Sequence, residues 1–234
     1  MAKVSELTHI VVIIPAYNEE ESIGQVIAEI PKDWVREIIV VNNRSTDQTA
    51  QRAAEAGATV IDEPLPAYGR ACLRGISYLK SRRDTPNVVV FLDGDLSDFP
   101  DQLPDIVAPI LLHNYDMVIG SRALGIKENG SMTLPQIFGN WLATFLIKLL
   151  YGVRYTDLGP FRAIRWRSLL ALDMQDTTYG WTVEMQLKAA KMNMRVTEVP
   201  VDYRKRIGFS KISGTVKGVI LAGYKIITTI FKYW

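Results

Sequence analysis

Asp93 and Asp95, two carboxylates two residues apart, follow an apolar run at residues 88–92. On an extended chain, residues i and i+2 share a side. Two carboxylates so placed repel unless a cation lies between them or each is hydrogen-bonded. Hard oxygen donors of this kind suit Mg²⁺ or Mn²⁺ bridging a diphosphate, and Gly94 lets a bulky ligand approach the backbone. Asp and Gly are also ordinary turn residues. The surroundings favour a ligand site, because two other apolar runs end in polar clusters. One is Pro15-Ala16-Tyr17-Asn18-Glu19-Glu20 and the other is Asn42-Asn43-Arg44-Ser45-Thr46-Asp47. A group of cations follows much later, with Arg204, Lys205, Arg206 and Lys211 inside eight residues.

Other chemistries lack their residues. No Gly-x-x-x-x-Gly-Lys-Ser/Thr is present, and no Gly-x-Gly-x-x-Gly follows the first apolar run, which excludes a P-loop and a classical dinucleotide fingerprint. The Gly-x-Ser-x-Gly of a serine hydrolase is missing. His9 precedes the first run and His113 ends a helical segment, positions that suit solvated or capping roles. Cys72, the sole cysteine, lies within a helical segment as a small core residue and permits no internal disulfide.

The elements that must position these groups follow from the hydrophobic pattern. Apolar, β-branched runs at residues 9–14, 37–41, 59–61, 88–92 and 116–119 alternate with helical spacing at 20–30, 47–56, 69–80 and 102–112. Continuous apolar runs indicate strands covered on both faces. Their alternation with helices predicts right-handed βαβ units and a Rossmann-like, mostly parallel α/β sheet. Ligands of such sheets bind beyond the carboxyl ends of the strands, where all three polar clusters fall. Ser45 and Gln48 have capping-box spacing for the second helix, and Gly57 suits its C-terminal end. Beyond residue 120 the pattern loosens into a Gly125–Gly130 loop, helices over 135–151 and 179–192, and a strand over 196–203. A final amphipathic helix over 215–234 carries Lys217, Lys225 and Lys232.

The 234 residues, 48% hydrophobic and 22% charged, fit one globular domain with neither repeat nor linker. Its approximate parts are a first half at 9–120, a second at 121–214 and the last helix at 215–234. Twenty-seven basic against 25 acidic residues leave a net charge of +2, too even to indicate a nucleic-acid partner. No basic leader precedes an apolar stretch, so no signal peptide is expected. No run of about 18 apolar residues suggests a bilayer span.

The three strand ends, in this order, resemble glycosyltransferase family 2, whose pattern is Pro-x-Tyr/Leu-Asn-Glu, then Asp-Asp/Asn-Gly-Ser-Thr-Asp, then Asp-x-Asp. The resemblance runs on through Val118-Ile119-Gly120-Ser121-Arg122, Asp157-Leu158-Gly159-Pro160-Phe161-Arg162-Ala163 and Tyr179-Gly180-Trp181-Thr182-Val183-Glu184-Met185. It ends with Glu198-Val199-Pro200 through Arg204 and Gly208-Phe209-Ser210-Lys211. These segments are similar to those of polyprenyl-phosphate mannose and glucose synthases, and together they cover residues 9–215. The resemblance implies a GT-A fold and a nucleotide-sugar donor. Pro15, Tyr17, Asn18 and Glu19 would then contact base and ribose, with Asn42 and Asn43 beside them. Asp93, Gly94 and Asp95 would serve the ribose, the diphosphate and a Mg²⁺ or Mn²⁺ held by the two aspartates. Arg122, Arg162, Trp181, Arg204, Ser210 and Lys211 would serve phosphates and the acceptor, with Asp95, Arg122 and Glu184 as the catalytic set. The chain departs from the pattern in three places: Asn42 replaces an aspartate, Arg44 a glycine, and Ser97 a glutamine that often faces the metal, with Asp98 beside it.

A sugar hydroxyl needs a positioned base to act as nucleophile at neutral pH. A phosphate monoester is already anionic, its second pKa being about 6. The region 155–190 has no paired carboxylates, whereas Arg122, Arg162, Arg204, Arg206 and Lys211 supply cations. The expectation is therefore an inverting, metal-dependent transfer of a hexose from a UDP- or GDP-sugar to a polyprenyl phosphate. It would occur at the cytoplasmic membrane face, with peripheral contact through the helices at 135–151 and 215–234. The first helix carries Ile137, Trp141, Phe145, Leu149 and Leu150 along one side. Two alternatives remain open. One is a soluble or protein-borne hydroxyl acceptor with Glu184 as base, and the other is a non-catalytic nucleotide-sugar-binding subunit. Arg162 could also serve as an ion-pair partner of Asp157.

Overall fold

The structure is a computed structural model and describes residues 8–208 and 215–234. Among these residues seven strands form one sheet: β1 (Ile10–Ala16), β2 (Glu37–Asn42), β3 (Thr59–Asp62), β4 (Val88–Phe91), β5 (Met117–Ser121), β6 (Arg162–Arg165) and β7 (Val196–Pro200). Their spatial order is β3-β2-β1-β4-β6-β5-β7. Every neighbouring pair is parallel except those of β6, which runs antiparallel to both β4 and β5. The helices are α1 (Ile23–Glu29), α2 (Thr49–Glu55), α3 (Tyr68–Lys80), α4 (Leu103–His113), α5 (Leu134–Tyr151), α6 (Trp166–Leu172), α7 (Trp181–Lys191) and α8 (Val216–Lys232). This is the α/β, mostly parallel architecture of the GT-A fold.

Side-chain alternation along β1 divides the core into two layers. Ile10, Val12 and Ile14 pack with Ile23, Val26 and Ile27 of α1 and with Ile106, Val107 and Ile110 of α4. Val11 and Ile13 face the opposite layer, with Cys72 and Leu79 of α3, Ile147 of α5, Leu187 of α7 and Ile230 of α8. The central strands are covered on both faces, which is why their sequences read as unbroken apolar runs.

Four local expectations change. Strand β6 and helix α6 do not stand out in the sequence, because Arg162 and Arg165 bracket only two apolar residues. The Ser45–Gln48 capping box does not form: α2 starts at Thr49, and Gln48 makes no side-chain cap bond. Ser45 Oγ instead accepts from Asn18 N at 3.1 Å, tying the second strand end to the first. A capping box does occur at the start of α5, between Thr133 and Gln136. Strand β7 stops at Pro200, and Tyr203 makes isolated bridges to Asp98 and Lys127. Finally, β4 ends at Phe91, so Asp93 and Asp95 lie in the turn beyond it rather than on extended chain. Arg44 takes φ 63°, the left-handed conformation that favours glycine.

Candidate active site

The carboxyl ends of β1, β2 and β4, the first turn of α3, residues 178–179 and Arg206 enclose a cavity of about 520 Å³. Of the residues expected to bind donor, Pro15, Tyr17, Glu19, Asn43, Asp93, Gly94 and Asp95 line it. Asn18 and Asn42 do not, and both brace the rim. Asn18, at φ 53°, accepts from Thr46 N through Oδ1 at 2.8 Å. Asn42 donates to Asp62 at 2.8 Å and accepts from Ser45 N at 3.1 Å. Asn43 ties the end of β2 to the next wall, donating to Leu65 O at 2.7 Å and accepting from Ala67 N at 2.9 Å.

The floor carries the charge. Asp95 Oδ1 accepts from Ser97 N at 2.9 Å and Ser97 Oγ at 2.5 Å, so the Ser97 hydroxyl is committed to Asp95. Asp95 Oδ2 pairs with Arg206 Nη1 at 3.1 Å, and Arg206 Nη2 reaches Glu19 Oε1 at 3.0 Å. Asp93 accepts from Tyr68 Oη at 3.0 Å. Burial and then the charge of Asp95 push the Asp93 carboxyl up to about 7, against the opposing pull of Tyr68, Arg206 and Arg122. Asp98 lies fully buried behind them with neither oxygen hydrogen-bonded. Burial and the charge of Asp93 hold its carboxyl well above the ordinary range.

The other expected site residues sit elsewhere. Arg122 is locked to Asp157 by two bonds of 2.7 Å, with its ring partner Tyr203 at 5.0 Å. The ion pair considered for Arg162 therefore belongs to Arg122. Arg162 is wholly buried, donating to the carbonyls of Leu158, Gly159 and Thr182, and burial lowers its pKa to about 10. Arg204 reaches Glu29 at 2.6 Å and Leu96 O at 2.7 Å, with Phe99 under its guanidinium. Trp181 is fully buried edge-on to Phe91, at 4.6 Å between ring centroids. Glu184 is also fully buried, accepting from Gln175 N, Asp176 N and Tyr233 Oη and pairing with Lys188. Neither lines the cavity. Ser210 and Lys211 lie outside the described residues.

The sequence pattern does not single out Tyr68, whose hydroxyl holds Asp93. Its one signal is position, at the start of a helix directly after the Pro64–Pro66 segment. The next residue shows how closely this wall is built. A Cβ on Gly69 would collide with the Asp176 carbonyl and lie 2.5 Å from Thr177 C and 2.7 Å from Thr178 N, all backbone. Gly69→Ala is expected to cost about 1–3 kcal/mol of overpacking, roughly 2–12 °C in Tm, and to weaken donor binding. Thermal melts and a donor titration check this, and a variant that matches the wild type in both would refute it.

A mixed sheet with a carboxylate-floored cavity beyond its parallel strand ends fits the GT-A class of glycosyltransferase. The chain belongs to glycosyltransferase family 2, whose family model, described as glycosyl transferase family 2, matches residues 11–172. An uncharacterised glycosyltransferase of Mycobacterium tuberculosis is 34% identical over 216 residues, covering 91% of this chain and 94% of that protein. The undecaprenyl-phosphate mannosyltransferase of Micrococcus luteus is 29% identical over 222 residues, covering 89% of each. Glucosyl-3-phosphoglycerate synthase of M. tuberculosis was solved with Mn²⁺, UDP-glucose and phosphoglyceric acid. It matches with a TM-score of 0.78 at 21% identity, over 99% of this chain and 81% of its own. That likeness speaks for the fold. The protein is a glycosyltransferase, and the reading as a non-catalytic subunit falls away.

Proposed function

We propose that this glycosyltransferase moves a hexose from a UDP- or GDP-sugar to a polyprenyl phosphate, inverting the anomeric centre. The observation that carries the reading is the absence of a free base. Among the described residues, the carboxylates lining the cavity are Glu19, Asp93 and Asp95, all in the donor set and all partnered. Glu184, the candidate base for a hydroxyl acceptor, is buried away from the cavity. An acceptor that is already anionic needs no base. Its phosphate oxygen would attack the anomeric carbon as the bond from that carbon to the donor's β-phosphate oxygen breaks, releasing a nucleoside diphosphate.

The donor set fits Mg²⁺ or Mn²⁺. Asp93 and Asp95 offer hard oxygens, and their mutual repulsion is the kind a cation relieves. No group of three or more His, Cys, Asp or Glu gathers into a metal cage among the described residues. An ion held by Asp93 and Asp95 would therefore need substrate phosphate and water to complete its shell. Such an ion would neutralise charge on the departing diphosphate.

The lipid part of the reading rests on helices α5 and α8. Helix α5 exposes Leu134, Ile137, Phe138, Trp141, Phe145 and Leu149, with Trp141 stacked on Phe145 at 5.8 Å. Helix α8 exposes Ile220, Leu221, Tyr224 and Phe231, and Trp234 two residues beyond its end is exposed as well. No helix among the described residues is long and apolar enough to cross a membrane. These faces support peripheral seating at the cytoplasmic side of a membrane, with exposed Lys148 and Lys232 at its edge. Lys225 does not contribute there, being paired to Asp176 at 2.9 Å. The name of the M. luteus relative agrees with such an acceptor.

The test is a panel of UDP- and GDP-hexoses with Mn²⁺, offered a short polyprenyl phosphate, the matching polyprenol or a soluble phosphorylated acid. Glycolipid formed only with the polyprenyl phosphate is the expected result. Transfer to the polyprenol or only to the soluble acid would overturn the acceptor.

A further inference from the structure

The donor cavity has an unusual lodger. Arg206 spans two carboxylates, with Nη1 at 3.1 Å from Asp95 Oδ2 and Nη2 at 3.0 Å from Glu19 Oε1. Its Nε is buried without a hydrogen-bond partner. Ser97 caps the other oxygen of Asp95 twice, so Arg206 holds the oxygen that faces away from that cap. The backbone on either side is pinned. Arg204 N donates to Ser97 O and Ile207 N to Asp95 O, each at 2.9 Å, so exchanging partners requires only the Arg206 side chain to move.

We propose that Arg206 is a built-in counter-cation for Asp95, one that a divalent ion displaces and that then serves the donor's diphosphate. The proposal rests on the reading of Asp93 and Asp95 as the metal carboxylates. Two cations cannot share one carboxylate oxygen without strong mutual repulsion. An ion taken up by Asp95 therefore frees Nη1, while Glu19 keeps the guanidinium at the cavity wall. A guanidinium is a flat fork of donors matched to phosphate oxygens, and a diphosphate arriving with the ion supplies them. Arg206 thus competes with the ion when the nucleotide is absent and assists once it is present. Binding of ion and nucleotide becomes mutually reinforcing, as linkage requires of any such coupling.

The test reads binding rather than turnover. Free Mn²⁺ is titrated by electron paramagnetic resonance with wild type, Arg206→Met and Arg206→Lys. UDP and GDP binding is then measured by calorimetry at saturating Mn²⁺. In Arg206→Met, Mn²⁺ alone is expected to bind about five- to tenfold tighter, and the nucleotide at least about tenfold weaker, within the usual range of such couplings. Arg206→Lys keeps the charge and is expected to leave Mn²⁺ affinity near wild type. Arg206→Gln, neutral yet able to donate to Glu19, repeats the Met arm if that variant folds poorly. Equal or weaker Mn²⁺ binding in both neutral variants overturns the proposal while leaving the metal site intact. A wild type that takes up no Mn²⁺ even with UDP or GDP sinks the metal reading, and this proposal with it.

Discussion

Asp95→Asn is expected to lower kcat/KM for sugar transfer by about a hundred- to a thousandfold, the usual loss when one preorganised electrostatic group is removed from a reacting site. The substitution keeps the size and leaves an amide oxygen for Ser97 N, which now bonds Asp95 Oδ1 at 2.9 Å. It places a neutral amide N–H, a donor, where Oδ2 now accepts from Arg206. The charge is lost with little change of packing, but Arg206 then faces an amide N–H in place of its carboxylate partner, so a fall of the melting temperature by a few degrees is expected alongside the loss of rate. A chelator is expected to bring the wild type to a similarly low rate. Added Mn²⁺ should restore the wild type but not the variant. Steady-state kinetics with and without chelator check all three expectations. Full activity in Asp95→Asn would remove the two-aspartate site from the reaction.

Arg122→Met is expected to cost about 3–5 kcal/mol of stability, the range for breaking a buried ion pair by removing one partner. At about 2–4 °C per kcal/mol this is roughly 6–20 °C in Tm. The pair is buried, with side-chain exposures of 12% for Arg122 and 1% for Asp157. Burial alone would lower the guanidinium's pKa, but Asp157 more than offsets it and holds the pKa above the ordinary value. Removing the cation strands the buried Asp157 carboxylate, leaving it the Arg122 N–H at 2.8 Å. Adding Asp157→Asn to Arg122→Met keeps that N–H bond and removes the stranded charge, so part of the lost stability should return. Thermal melts of both variants test this. Unchanged melting with lost phosphate binding would return Arg122 to the role its Gly-Ser-Arg motif suggests.

What could be read from the residues alone was what the chain encodes locally. Strands β1, β2 and β4 are apolar on both faces, so their runs are continuous and their polar ends conspicuous. Asp93, Asp95, Glu19 and Asn43 follow from those ends. The arginines were harder, because a like-charged cluster does not reveal which member turns inward. Arg204 and Arg206 are two residues apart, yet one finds Glu29 and the other Glu19 and Asp95. Those acids lie more than 100 residues away in sequence, and only the course of the chain past Asp95 and Ser97 selects among them. Arg162 misled for a related reason. A guanidinium surrounded by carbonyl oxygens is neutralised by dipoles, which no pattern of acidic residues announces. Glu184 lies where the family motif places it, but two backbone amides and a tyrosine from the end of the chain have taken its lone pairs.

That tyrosine is tied into more than Glu184. Lys191 Nζ grips the Tyr233 carbonyl at 2.9 Å, Tyr151 Oη the Ile230 carbonyl at 2.6 Å, and Lys225 the carboxylate of Asp176. Asp176 in turn steadies Thr178, which stands in the cavity wall. Helix α8 and Tyr233 are thus a buttress for the sugar-transfer chamber. A tag fused there, a cut a few residues short of Trp234, or a bilayer tugging on the exposed aromatics would be felt at the chamber's rim.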